Sequence, residues 1–493
     1  VTIELIKRSA TFSTQTAIID QAGAYTYEDL FRRAGKIASA IEKTNGRLNG
    51  ARVAYMVQPG FDYVAALWAI WLADGVAVPI GLSHPAPEIK YVLQNSDAAY
   101  CIYSAQRSEL LAPILNRQTI QPINLAELPE SEPFVRAEDC NTESALILYT
   151  SGTTGKPKGV ELTHANISFQ IKSLVEAWEW RKDDQILCVL PLHHTHGIVN
   201  VLCCALWCGA TCRFLPKFDA EDVWQSFINN PLTLFMAVPT IYHRLIDFWE
   251  KSNAATQKKM SKACSKFRLM VSGSAALPAT TLNKWFEISA QTLLERYGMT
   301  EIGMALSNPL HGERKPGWVG APLPGVQARI IDENNKILPE GRQGELQIKS
   351  PNVFKEYWQC PEATKNAFWD GWFKTGDIVV REENNYRIIG RSSVDIIKTG
   401  GYKVSALEIE ATLLEHHLVM ECAVTGAEDA DLGEVICAAV KLKGEISAFE
   451  LNSWLKTKLA PYKTPRKLIF TKNIPRNAMG KVNKAAVKRL FTK

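Results

Sequence analysis

One run restricts this chain more than any other: Leu146 to Asn166 reads Leu-Ile-Leu-Tyr-Thr-Ser-Gly-Thr-Thr-Gly-Lys-Pro-Lys-Gly-Val-Glu-Leu-Thr-His-Ala-Asn. An apolar segment, Ala145 to Tyr149, has the length of a buried strand. Hydroxyls, glycines and two lysines follow, and Thr163 has the chemistry of a helix N-cap. Behind it Ile167, Ile171, Leu174, Val175 and Trp178 recur at helical spacing, which predicts a helix with one buried face. Strand, glycine-hydroxyl loop and helix suit phosphate. Glycines let the backbone approach the anion, hydroxyls and N–H groups donate, and lysines balance charge. The Walker-type spacing is not met, because Gly152 and Gly155 are three apart and Pro157 follows Lys156. A plain solvated linker would rarely carry so many small donors between a buried strand and an amphipathic helix.

The segment Thr150 to Gly159 resembles the signature loop of the adenylate-forming superfamily: acyl-CoA synthetases, peptide-synthetase adenylation domains and luciferases. The resemblance implies that Thr150, Ser151, Gly152, Thr153, Thr154, Gly155, Lys156, Pro157 and Lys158 grip the β- and γ-phosphates of ATP.

At 493 residues the chain is too long for one hydrophobic core, so two or more domains are expected. Its 46% apolar and 22% charged residues are those of a soluble globular protein, and a net charge of +5 argues against a dedicated nucleic-acid binder. Val1 to Ile19 contains Glu4, Lys7 and Arg8 and no continuous apolar core, so no secretory signal is expected. The expected location is cytoplasmic, or the mitochondrial matrix if a transit peptide has been removed. Gly197 to Ala210 is shorter than the roughly 20 residues needed to span a bilayer and reads as a buried helix. The eleven cysteines form no paired framework. Cys204, Cys208 and Cys212 lie four apart and are expected to pack in the core along one helical face.

Short strands at Ala17–Ile19, Arg52–Val57 and Gly75–Ile80 alternate with amphipathic helices at Tyr27–Ile41 and Phe61–Leu72, which predicts a parallel sheet with crossover helices. Alternating apolar residues at 326–331 and 345–348 suggest a small β-subdomain. The expected fold is α/β. Residues 1–390 form a large N-terminal domain of several subdomains, with parallel-type sheets and the β-subdomain. Residues 391–493 form a small α+β C-terminal domain, mobile by resemblance.

Further motifs occur in family order. Pro191-Leu192-His193-His194-Thr195-His196-Gly197 lacks the i, i+4 histidine spacing of a zinc helix. By resemblance His194 gates the path between acyl pocket and thiol, and His196 and Gly197 border the acyl group. The strand Leu269–Ser274 runs into Gly273-Ser274-Ala275-Ala276, where Ser274 and Ala275 are expected beside the adenine and Ser272 at the acyl pocket. In Glu295-Arg296-Tyr297-Gly298-Met299-Thr300-Glu301 the resemblance makes Glu295, Gly298 and Met299 neighbours of ATP. Tyr297 would stack on adenine, Thr300 would donate to the α-phosphate or acyl carboxylate, and Glu301 would coordinate Mg²⁺. Two anions must meet at the α-phosphate, so a divalent ion has a job there. Asp377 is expected to accept the ribose hydroxyls and Arg391 to contact ribose and phosphate. Lys398, Gly400, Gly401, Tyr402 and Lys403 resemble the loop that serves thioester formation with CoA. Lys481, after Gly480, matches the lysine that bridges acyl carboxylate and α-phosphate. The stretch around Ser393 is one residue longer than the common hinge pattern, so no pivot residue is assigned.

Arg296 stands where related enzymes commonly have glycine. A guanidinium beside an acyl pocket is costly unless it meets an anion, and its fork suits a second carboxylate. Glu-Arg-Tyr-Gly-Met-Thr-Glu with His-Thr-His-Gly upstream is similar to the malonyl/methylmalonyl-CoA synthetase branch, including its animal mitochondrial member. Arg244 is a second candidate cation. The expectation is an ATP-dependent ligase joining malonate or methylmalonate to CoA. Alternatives are another short or medium acid, transfer to a carrier-protein thiol, or a non-catalytic nucleotide-binding protein.

Overall fold

The computed structural model describes residues 3–116, 120–128, 142–150, 157–392, 394–400, 402–429, 431–476 and 482–491. Alternation of strand and helix in the first part builds two large sheets. In the seven-stranded sheet, Ser144–Thr150, Val76–Pro79, Arg52–Met56, Ala98–Tyr103 and Gln121–Asn124 run parallel. The nine-stranded sheet has a parallel centre comprising Leu294–Met299, Leu269–Ser272, Leu234–Ala237, Gln185–Cys188, Thr211–Phe214 and Thr16–Ile19, with antiparallel strands at both edges. Such sheets place ligands at the carboxyl ends of their strands. An antiparallel sheet of Gln327–Ile331, Gly344–Lys349, Trp372–Glu382 and neighbours is the expected β-subdomain. A further five-stranded sheet begins at Ile396–Thr399, and its apolar clusters draw only on residues 397–491.

The run from 146 to 166 differs from expectation in one respect. A strand, Lys158–Thr163, stands between the loop and the helix and pairs antiparallel with Ser144–Thr150. Val160 and Leu162 alternate with polar residues, as a strand requires. The two strands pair as a hairpin, so a strand and not a helix N-terminus begins at Lys158. Residues 151–156, most of that loop, lie outside the described residues. Thr163 does cap the helix His164–Trp178, in a reciprocal pair with Asn166.

Two other expectations are corrected. Phe61–Leu72 is not amphipathic. Tyr63 to Trp71 are all buried, because the segment has almost no polar side to offer water. Cys212 is not on the helix of Cys204 and Cys208. That helix stops at Gly209 in a left-handed conformation (φ 77°), and Cys212 lies in the strand Thr211–Phe214. All three thiols are buried. The expected helix over 197–210 is a π-helix, His196–Cys203, continued by the α-helix Cys204–Cys208.

Candidate active site

Strand alternation fixes the first element of the site. In Leu294–Met299, neighbouring side chains point to opposite faces, so Glu295 and Arg296 diverge. Glu295 accepts the N–H of Gly317 (3.0 Å), and burial pushes its carboxyl up to about 7. Arg296 is 3% exposed. Its Nη2 lies 2.6 Å from Nδ1 of His196 and 3.5 Å from Oγ of Ser274. Its Nε and Nη1 are buried with no hydrogen-bond partner among the described residues. Burial depresses the guanidinium to about 9, the neighbouring Tyr242 offsets this only in part, and among the described residues no carboxylate is near enough to do more. The salt bridge to Glu295 that would make Arg296 structural is thus not formed.

A guanidinium can only donate, so Nδ1 of His196 must accept and the ring proton belongs on Nε2. Burial, then the Arg296 charge, holds this imidazole well below its ordinary pKa, so it is neutral. Its Nε2 is buried and unpartnered, as is Oγ of Ser272. These donors accompany the two unpartnered nitrogens of Arg296, Nε and Nη1. Gly273 makes the arrangement possible, since a Cβ there would stand 2.4 Å from Arg296 Nη1. Gly197 has a packing reason of its own: a Cβ would lie 2.5 Å from the Pro191 carbonyl oxygen. Ser274 holds a left-handed backbone (φ 68°), uncommon for a residue with a side chain and concentrated at functional sites.

Arg244 is not brought into this cluster. It is exposed on the helix Pro239–Lys251, with its guanidinium 5.8 Å from the Phe218 ring centroid. The neighbouring Tyr242 is the inward residue. It is buried, with its hydroxyl donating to the Val271 carbonyl (2.9 Å). The rings of His193 and His194 lie 4.1 Å apart, tilted by 48°, and His84 meets His193 edge-on at 5.0 Å. Among the described residues no group of three or more His, Cys, Asp or Glu is arranged to hold a metal.

The nucleotide end is built from distant segments. Tyr297 donates its hydroxyl to Asp377 Oδ2 (2.5 Å), and Arg391 Nε donates to Oδ1 (3.2 Å). A carboxylate has about four lone-pair positions, so Asp377 keeps two for a pair of hydroxyls. Glu301 is 7% exposed, and its Oε1 accepts from the hydroxyl of Tyr357 (2.9 Å). The ring of Tyr357 also lies under Lys158, 4.8 Å from Nζ. Burial raises the Glu301 carboxyl, against the pull of the Tyr357 hydroxyl and the charges of Arg391 and Lys158. One desolvated carboxylate beside a phosphate loop fits Mg²⁺, which is commonly held by one or two carboxylates plus substrate phosphates. Tyr357 gave no signal in sequence. Only the pairing of Glu356–Tyr357 with Lys158–Thr163 carries it there.

Of the expected thioester loop, Lys398 lies in Ile396–Thr399, Gly400 is left-handed (φ 54°) and Tyr402 is 54% exposed. Tyr402 stacks on Tyr462 with centroids 4.4 Å apart. Gly401, Lys481 and the Lys403 side chain lie outside the described residues.

Two largely parallel sheets, the paired strands Ser144–Thr150 and Lys158–Thr163 and the buried carboxylates Asp377 and Glu301 fit the class of nucleotide-activating enzymes. The chain belongs to the AMP-binding enzyme family: the family profile matches residues 6–358, and that of the AMP-binding enzyme C-terminal domain matches 408–481. It is 45% identical to the mitochondrial malonate–CoA ligase ACSF3 of Bos taurus, over 97% of this chain and 88% of that one. It is 42% identical to the malonate–CoA ligase of Arabidopsis thaliana, over 90% of this chain and 78% of that one. ATP-bound MatB from Rhodopseudomonas palustris superposes with a TM-score of 0.91 at 33% identity, covering 100% of this chain and 99% of that one. The family and fold expected from the motifs are borne out.

Proposed function

We propose that this enzyme is a malonate–CoA ligase. The observation that carries the reading is Arg296, a buried guanidinium with two unpartnered nitrogens, Nε and Nη1, and no carboxylate of its own among the described residues. The distal carboxylate of a short dicarboxylic acid supplies what it lacks. Nε2–H of His196 and the Ser272 hydroxyl are further donors for the same acid. The names of the ACSF3 and Arabidopsis relatives support the same substrate.

The proximal carboxylate oxygen attacks the α-phosphorus of ATP, the bond to the bridging oxygen breaks, and pyrophosphate leaves. In this reading the roles of Lys158 and residues 150–157 are to bind the departing phosphates, those of Asp377 and Arg391 to hold the ribose end, and that of Lys481 to bridge carboxylate and α-phosphate. Glu301 would hold Mg²⁺, which would supply positive charge to the phosphates. In the second half the CoA thiolate adds to the acyl carbon and AMP leaves. The Gly400 loop approaches for this step, with residues 391–493 turning as a unit. The exposed Tyr402–Tyr462 pair beside that loop supports CoA as the acceptor. Charge neutralisation and alignment do the work, with no covalent enzyme intermediate.

The test is pyrophosphate release with ATP, Mg²⁺ and CoA over a panel of malonate, methylmalonate, acetate and octanoate. Malonate, or its methyl derivative, is expected to lead. Preference for a monocarboxylate overturns the reading. The word mitochondrial in the Bos taurus relative's name supports a matrix location, which imaging of the tagged full-length gene product tests.

A further inference from the structure

A buried ion triad sits where the two parts of the chain meet, and the chemistry above makes no use of it. Asp395 Oδ2 accepts the backbone N–H of Arg391 (3.2 Å), and its own N–H returns a bond to the Arg391 carbonyl (2.9 Å). Its other oxygen, Oδ1, lies 3.4 Å from Nζ of Lys484. The same Nζ donates to Glu410 and to the Val424 carbonyl (2.7 Å). Side-chain exposures are 13% for Lys484, 12% for Asp395 and 17% for Glu410. Gly390 admits the contact, for a Cβ there would be 2.7 Å from Asp395 Cβ.

Lys484 follows Lys481 by three residues. The chain flanking that lysine is tied down on both sides. Arg476 pairs with Glu421 (2.6 Å) and bridges antiparallel to Val482, and Asn483 donates to the Pro475 carbonyl (2.9 Å). Polar contacts therefore run unbroken from Asp377 at the ribose position through Arg391 and Asp395 to Lys484. An exposed lysine pair would contribute little, but here water competes poorly for the charges.

We infer that Lys484 is a positioning residue for the adenylation half-reaction, holding the segment that carries Lys481 in fixed relation to Arg391 through Asp395. This rests on Lys481 being the adenylation lysine. A slack link costs alignment in the first half only, since Lys481 has no part in thioester formation.

Lys484→Met leaves two buried carboxylates facing each other and risks misfolding. Asp395→Asn is the safer variant. It keeps an acceptor for Arg391 and the Lys484–Glu410 pair, and removes only the charge that Lys484 meets at the hinge. Both, with Lys484→Arg, are measured for pyrophosphate exchange with malonate, for thioester formation from supplied malonyl-AMP, and for thermal unfolding. Expected is a loss of about tenfold or more in exchange kcat for Lys484→Met and a smaller loss for Asp395→Asn, a cost typical of small misalignments. Thioester formation stays near wild type, and Lys484→Arg recovers most of the exchange rate. Equal losses in both halves, or unchanged exchange in Asp395→Asn, overturn the inference. Failure of the underlying reading shows separately, as wild type that does not exchange with malonate or as Lys481→Ala that still does.

Discussion

Arg296 donates from Nη2 to Nδ1 of His196 across 2.6 Å, in a buried cluster where it meets no carboxylate among the described residues. The bond aims two groups at once. It fixes the proton of His196 on Nε2 and leaves Nε and Nη1, on either side of the engaged Nη2 donor, without a partner among the described residues. The site is cationic and asymmetric before any substrate arrives.

Replacing Arg296 by glycine should lower kcat/KM for malonate by about ten- to a thousandfold, since charged hydrogen bonds contribute roughly 1.5–3 kcal/mol and a stranded carboxylate costs more. Butyrate, which has no distal charge, should be used as well as before or better. An unchanged malonate-to-butyrate ratio would show that Arg296 does not select the acid.

The pH dependence has a defined sign. Burial lowers the Arg296 pKa to about 9, so the cation is present below that value and is lost as pH rises through it. Pyrophosphate-exchange kcat/KM for malonate, a reaction without the CoA thiol, should therefore fall above about pH 9 through loss of that charge. In the Arg296→Gly enzyme this alkaline limb should vanish. Its persistence assigns the limb to another group.

Gly273→Ala offers a probe that leaves every charge in place. The added Cβ would meet Arg296 Nη1 at 2.4 Å, so the guanidinium must shift off His196. Malonate activity should drop about ten- to a hundredfold, as expected for a displacement near 1 Å, while the ATP KM measured with butyrate changes little. Wild-type malonate kinetics would mean that the guanidinium does not have to rest on this backbone.

Tyr357→Phe keeps the ring beneath Lys158 and removes the hydroxyl bonded to Glu301. Leaving a buried carboxylate oxygen without its donor should cost about 1–3 kcal/mol of stability in the free enzyme. The Mg²⁺ concentration needed for half-maximal ATP binding, read by titration without malonate, should rise severalfold. Unaltered Mg²⁺ demand would separate Tyr357 from the metal carboxylate.

Much of this was legible because the motifs combine local chemistry with order along the chain. Glu295 and Arg296 part company through simple strand alternation, and Thr163 announces its helix through its own side chain. Tyr357 and Lys484 were not legible, for a common reason. Each acts on a residue more than fifty positions away, through strand pairing for one and a shared buried carboxylate for the other. Arg244 misled in the opposite direction. A cation on an amphipathic helix cannot be assigned a face when an inward residue, Tyr242, stands two positions before it. The hairpin strand Lys158–Thr163 escaped because its two apolar residues are too few to set a period.

The π-helix His196–Cys203 makes the site intolerant of a change in length. Such a turn holds one more residue than the α-helical turn it replaces. Deleting a single residue between Ile198 and Leu202 without the wide turn tightening to α-geometry would rotate the preceding side chains by nearly the roughly 100° that one helical residue subtends. His196 would swing off Arg296 while the buried thiols of the following helix stayed in place. Such a deletion would keep every motif named above and still erase the preference for a diacid.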